Sequence, residues 1–358
     1  MKRTNNIATV AFSRAALYEA YHDAKKGKRA ARSCFLFERR LAGQIEDLHR
    51  SLMDGSYQPK AYNRFMVYEP KPREICAPAF RDRVVQHAIY NQIRPLFDRT
   101  FIDQSFACRR GKGTHAAADY VQRALQLAPR DSYVLQMDIR RYYYSLDRSV
   151  LQRLIERKIK DRRLVEVIML FAQGDQPTGV PIGNLLSQLF GLIYLNPVDH
   201  FAKRELKVAH YARYVDDFIL IGISRDQALD CRRRITEFLA DRLHLELSKA
   251  SIFRVTRGAN FVGFRTWSRR RFVRKRALYI FRKACRKKRL EAVTSCLGHA
   301  RKTASHRYML NHLMENHHAL YYQLPKVLRR LHHAPTRRSG RQRRALHSGR
   351  HYLCQHPG

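Results

Sequence analysis

The stretch Ala212-Arg213-Tyr214-Val215-Asp216-Asp217-Phe218-Ile219-Leu220-Ile221-Gly222 sets two adjacent carboxylates between strand-forming residues. Aromatic and β-branched residues on both sides of a short polar break predict two strands joined by a tight hairpin. Neighbouring acids at such a tip repel each other, so something cationic must offset them. A third acid, Asp138, ends the strand-like run Tyr133-Val134-Leu135-Gln136-Met137-Asp138 and leads into Ile139-Arg140-Arg141-Tyr142-Tyr143-Tyr144. A plainer reading exists for each acid, with Asp216 and Asp217 as turn residues and Asp138 as a helix cap. For an isolated Asp-Asp pair the plainer reading prevails, so the rest of the chain decides.

The chain has 358 residues, 45% of them hydrophobic, enough for two or three packed subdomains. Lys and Arg number 70 against 30 acids, a formal charge of +40, and such a surface needs an anionic partner. Nucleic acid and anionic membranes both reward clustered cations. No run approaches the roughly 18 apolar residues of a spanning helix. The opening MKRTNNIATVAFSRAAL is basic but lacks an apolar leader core, so a cytoplasmic protein that does not engage membranes is expected. The seven cysteines, Cys34, Cys76, Cys108, Cys231, Cys285, Cys296 and Cys354, form no C-x-x-C pair and read as reduced thiols. The segment His347–His356 only loosely mimics a zinc site, having a single cysteine.

Apolar residues recur at helical spacing in 17–24 and again in 37–55, joined by a basic turn. Tyr62 to Pro78 reads as extended strands broken by Pro70, Pro72 and Pro78, and 80–98 as a helix. Short strands with helical stretches between them follow, an α+β pattern with the sheet at the centre of the chain. Beyond Gly263 the composition turns strongly basic, and 269–293 predicts one amphipathic helix, with two shorter helical segments ending near Leu324. After Pro325 acids disappear, and 325–358 is expected to be an arm that orders on nucleic acid.

Joined in order, these parts resemble the reverse transcriptases. Tyr214-Val215-Asp216-Asp217 is similar to their Y-x-D-D hairpin, and Asp138 with Tyr142 and Tyr143 to their first aspartate motif. Lys71-Pro72-Arg73-Glu74-Ile75 with Asp82-Arg83-Val84-Val85-Gln86 resembles the segment that grips the incoming triphosphate. Ser105 to His115, Gly179 to Gln188, and Asn260-Phe261-Val262-Gly263-Phe264, similar to the primer grip, complete the series over about residues 15 to 320. The resemblance implies a right-hand polymerase: fingers and N-terminal helices in 1–130, a palm in 131–266 with a fingers segment inserted at about 148–186, and a helical thumb in 267–324. It also implies two Mg²⁺ ions, with Mn²⁺ as a substitute, held by Asp138, the Ile139 carbonyl, Asp216 and Asp217. Hard divalent ions take such oxygen ligands, and a pair of them can stabilise both the attacking and the leaving oxygen of nucleotidyl transfer.

Lys71 and Arg73 would meet the triphosphate, Arg through its planar fork; solvated loop charge is the alternative. Tyr143 stands five residues after Asp138, where the family places an aromatic that excludes the ribose 2′-hydroxyl, with simple packing as the alternative. The family's lysine after the L-x-L-S of Leu245-Glu246-Leu247-Ser248 is displaced here to Lys249, and its role stays open.

The block Val180-Pro181-Ile182-Gly183-Asn184-Leu185-Leu186-Ser187-Gln188 narrows the resemblance. Group II intron and retroviral enzymes usually carry Gln-Gly there and close on Ser-Pro, whereas Ile182-Gly183 and Ser187-Gln188 resemble the enzymes of diversity-generating retroelements. That resemblance implies template RNA, a cDNA or primer strand and deoxynucleotides as partners, a basic multimeric accessory protein, and error-prone copying of template adenines. Glutamine can hydrogen-bond around a nucleotide and Ile182 cannot, which weakens geometric selection; packing beneath the fingers is the alternative. A related enzyme serving defence, a group II intron-type element and a non-enzymatic RNA scaffold remain competing readings.

Overall fold

A computed structural model describes residues 3–28, 30–68 and 72–329, and the described residues fall into two units dividing between Arg269 and Arg270. The larger unit begins with α1 (Ile7–Ala11), α2 (Arg14–Lys25), α3 (Arg32–Glu38) and α4 (Leu41–Asp54), then a hairpin of β1 (Asn63–Val67) and β2 (Arg73–Ala77). Next come α5 (Phe80–Asp98), α6 (Thr114–Leu127), β3 (Tyr133–Ile139), α7 (Tyr142–Ser145), α8 (Arg148–Glu156) and α9 (Arg162–Leu170). Helix α10 (Leu185–His200) runs into a π-turn at Phe201–Glu205, followed by β4 (His210–Tyr214), β5 (Asp217–Ile223), α11 (Arg225–Leu243), β6 (Leu247–Arg254), β7 (Ala259–Phe261) and β8 (Phe264–Thr266). The smaller unit holds β9 (Arg271–Val273) and α12 (Lys275–Arg286), α13 (Leu290–Ala300), α14 (Ser305–Asn316), α15 (His318–Gln323) and α16 (Lys326–Arg329). Lys71 and nearly all of 325–358 lie outside the described residues.

The centre is a four-stranded antiparallel sheet in the order β4-β5-β3-β6. Side chains alternate faces along each strand, so the sheet has two different covers. On one face Val134, Ala212, Ile219 and Ile221 pack with Ala117, Val121 and Ala124 of α6 and with Ala259 and Phe261 of β7. On the other, Leu135, Met137, Tyr211, Phe218 and Leu220 join Leu186, Phe190 and Ile193 of α10 and Ile235 and Leu239 of α11. Helix α10 is apolar around most of its circumference because it is enclosed on nearly all sides, and Asn184 caps it by accepting from Ser187 N at 2.7 Å.

Two helix readings change. The stretch 37–55 is interrupted at Arg39–Arg40, with no breaker residue to announce it. The stretch 269–293 is not one helix but β9, α12 and the start of α13. Lys288 takes φ 50° after α12, and Lys288 N and Arg289 N bond the Cys285 and Ala284 carbonyls, closing the helix with the pattern a glycine usually supplies. The tyrosines after Asp138 form the short helical turn α7, entered through Arg141 at φ 46°.

Candidate active site

The register of the central sheet places Tyr214, Asp217, Asp138 and Lys249 directly opposite one another across β4, β5, β3 and β6. Residues opposed in antiparallel strands share a face, with neighbouring Cβ atoms about 5 Å apart. Asp138 and Asp217 therefore stand side by side, with the exposed Lys249 beyond Asp138. Asp216 occupies the second position of the two-residue turn joining β4 to β5, after Val215 at φ 57°.

Each acid has its own support. Strand β6 skips a residue between Lys249 and Leu247, opposite Asp138 and Ile139, and the skipped residue is Ser248. This bulge turns the Ser248 hydroxyl onto Asp138, donating to Oδ1 at 2.5 Å. Gln136 lies two residues before Asp138 on the same face; its Nε2 donates to Asp217 Oδ1 at 3.0 Å and to the Asn260 carbonyl at 2.8 Å. The turn is held from the opposite face of the sheet. Arg213 there is fully buried and paired to Asp199 of α10 through two bonds of 2.7 and 2.6 Å, while its third nitrogen donates to the Val215 carbonyl at 3.0 Å. Tyr211 donates to the same Asp199 at 2.7 Å. Burial works against the Arg213 charge, but Asp199 beside it outweighs that and keeps the guanidinium protonated.

Burial, with Asp138 nearby as a smaller contribution, pushes the Asp216 carboxyl above its ordinary range; a main-chain hydrogen bond to the carboxylate and, more weakly, Arg73 and Arg213 draw it back only in part. A half-buried acid beside another acid is a site that a cation would stabilise. Among the described residues no three Asp, Glu, His or Cys side chains are gathered closely enough to enclose an ion, so the acids stand as a row rather than a cage. Their donors are carboxylate oxygens, which fit a hard divalent ion.

The structure also locates the other predicted residues except Lys71. Arg73 begins β2, is exposed, and acts electrostatically on both Asp216 and Tyr143. Tyr143 is largely enclosed, and burial pushes its hydroxyl above the ordinary range. Main-chain bonds link this group: Val180 N donates to the Tyr143 carbonyl at 2.8 Å, and Cys76 N to the Ile182 carbonyl at 2.7 Å. Gly183 follows at φ 117°, and a Cβ there would stand 2.7 Å from Ile75 Cγ2. Arg73, Tyr143 and Ile182 are thus tied into one region beside Asp216. Gln188 is exposed on the first turn of α10, and Ile139 follows Asp138 with its side chain buried. Phe261 is buried at the end of β7, and Gly263 lies in the β7–β8 turn with φ 88°. Gln136, Asp199, Arg213 and Ser248 carry parts of the site not singled out in the sequence. Period-two alternation, which puts Gln136 on the face of Asp138, was the available signal for the first.

Residues 60–266, which contain the whole central sheet and both turns, match the reverse transcriptase (RNA-dependent DNA polymerase) family. The chain belongs to that family. It is 27% identical over 297 residues to protein YkfC of Escherichia coli strain K12, covering 68% of this chain and 75% of that one. It is 24% identical over 297 residues to the group II intron-encoded protein LtrA of Lactococcus lactis subsp. cremoris, covering 62% of this chain and 49% of LtrA. The chain therefore spans about half the length of LtrA. A telomerase from Candida albicans aligns with a TM-score of 0.48 at 14% identity, over 74% of this chain and 55% of that one, too distant to add to the fold description. No helix among the described residues is long and apolar enough to cross a membrane.

Proposed function

We propose that this chain copies a retroelement's template RNA into error-rich cDNA, by nucleotidyl transfer at the carboxylate row. The observation that carries the catalytic part is the alignment of Asp138 with Asp217 below the turn that presents Asp216. Asp138, the Ile139 carbonyl, Asp216 and Asp217 would hold two Mg²⁺ ions, which when bound supply charge stabilisation for the attacking and leaving oxygens. Ser248 and Gln136 orient Asp138 and Asp217, and the buried Arg213–Asp199 pair holds the turn. Arg73, with Lys71, neutralises the triphosphate. Tyr143 closes the space beside the sugar, admitting deoxynucleotides and excluding a 2′-hydroxyl. Phe261 and Gly263 seat the primer end on the β7–β8 turn. In this reading β1, β2 and α5 belong to the fingers, the central sheet is the palm, and the smaller unit is the thumb.

The narrower assignment, to a diversity-generating retroelement with a basic accessory protein, rests on Ile182-Gly183 and Ser187-Gln188. The main chain of Ile182 is engaged by Cys76, so the side chain is what distinguishes this position, and it offers a nucleotide no donor or acceptor. The test is misincorporation opposite template adenine by wild type and Ile182→Gln on one RNA template. A lower adenine error frequency in the variant is expected, and identical error spectra would remove Ile182 from the explanation. The likeness to LtrA favours a second reading, an intron-type element. Sequencing the RNA that copurifies separates the two, since a paired template and variable repeat belong only to the first.

A further inference from the structure

Behind the sheet, on the α10 side, a cavity of about 550 Å³ opens between α5, α8, α10, the π-turn and α11. It is large enough for a mononucleotide. None of its lining residues belongs to the carboxylate row or to the segments around it. Its wall includes the stacked rings of Phe201 and Phe238, with centroids 4.5 Å apart and planes inclined by 23°, and the buried Phe97. Its lining carries four Lys or Arg side chains against one acid, Glu205, and three of these cations, Arg99, Arg157 and Arg204, are exposed.

A polar group in the wall is unsatisfied. Thr100 Oγ1 gives its proton to the Phe97 carbonyl at 2.7 Å, so towards Asn196 Nδ2, at 3.3 Å, it can only accept. The amide of Asn196 is thereby oriented, and its buried Oδ1 has no hydrogen-bond partner. Asn196 also lines the cavity. The π-turn adds to the case, since such a turn leaves the regular helix ladder and is frequent at functional sites.

An aromatic wall, a cationic rim and an unmet acceptor together match one ligand chemistry, that of a nucleotide. We propose that this cavity binds a nucleotide, its base against the Phe201–Phe238 wall and its phosphate at Arg157 and Arg204. The nucleotide is either free or an unpaired residue of a bound RNA. An acidic peptide would use the cations but leave the aromatic wall and the Asn196 acceptor without a role.

The full chain would be irradiated with 8-azido-ATP in one arm, and in the other with a single-stranded oligoribonucleotide carrying one 8-azidoadenosine. Labelled peptides are then mapped. Label in 193–205 or on Phe238 is expected in wild type, with a drop of about tenfold in Arg157→Glu/Arg204→Glu, one lost phosphate contact being sufficient for that factor. Primer extension on a short template should be unchanged in that variant. Label from the mononucleotide alone identifies a free ligand, and label from the oligomer alone identifies RNA. The proposal is overturned if label is confined to the strands bearing Asp138 and Asp216, if the double variant labels as wild type does, or if the cavity residues are protected only by a copurifying protein. The wild-type map requires no variant, so it stands even if the double substitution impairs folding.

Discussion

Two hairpins of the larger unit turn on a valine in the left-handed region, and they bear the strain differently. In the β4–β5 turn Val215 has φ 57° and is followed by Asp216, whose φ is not positive; in the β7–β8 turn Val262 at φ 45° is followed by Gly263 at φ 88°. A β-branched residue in that region costs about 1–2 kcal/mol. The first turn is held from behind by a buried guanidinium bonded to the Val215 carbonyl, the second by a glycine that accepts its own conformation freely. The difference follows from what each turn presents. A turn that must carry an acid cannot place glycine at that position, so it needs outside support. Gln136 joins the two hairpins through Asp217 of β5 and Asn260 of β7.

The comparison is tested most severely at Asp216. Asp216→Asn should lower Mg²⁺-dependent primer extension on the order of 10³-fold while RNA retention is unchanged, and retained extension would remove this turn from catalysis. Asp199→Asn leaves the Arg213 charge buried without its partner. It should cost about 3–5 kcal/mol, read as a lowered urea midpoint, and extension should fall with it. A loss below about 1 kcal/mol would mean that the first turn holds itself. Gly263→Ala forces a Cβ onto a positive φ and should cost roughly 1 kcal/mol, with extension from an annealed primer weakened more than RNA binding. An unchanged midpoint would show that the second turn can relax.

A control outside both hairpins is Asp147, which caps α8 and accepts from His244 Nδ1 at 2.8 Å. Burial alone would raise its carboxyl, but the bonds from Ser149, His244 and Val150 outweigh burial and hold it from 3.8 down to about 2. A depressed acid stabilises the fold above its unfolded value, and that contribution is lost as pH falls through the folded one. Asp147→Ala should therefore cost about 1–2 kcal/mol at neutral pH. The gap between variant and wild-type melting should narrow as pH falls from 3.8 towards 2, whereas a constant gap would assign the loss to packing.

Much of the fold was legible in the sequence because local chemistry decided it. Phe80–Asp98 forms the helix its periodicity predicts, and Pro72 and Pro78 flank β2. The acids at 138, 216 and 217 were legible because a carboxylate set into apolar strand sequence does nothing for packing and so points to a turn, a cap or chemistry. Asp199 was hidden because it lies in a mostly apolar helix and its partner Arg213 sits 14 residues on, a pairing that only the sheet-on-helix packing creates. Ser248 was hidden by a bulge, which shifts side chains without a composition signal. The end of α12 was hidden because Lys288 does there what a glycine would have announced.

The contact between β2 and the turn before α10 bears on how this enzyme can evolve. Cys76 bonds the main-chain oxygen of Ile182, an atom every amino acid possesses, whereas Gly183 is fixed by both its φ and the nearness of Ile75. Mutation can therefore sample many side chains at 182 without undoing that docking, while its neighbour admits almost none. The docking of β2 thus leaves one position free to vary beside one that is fixed.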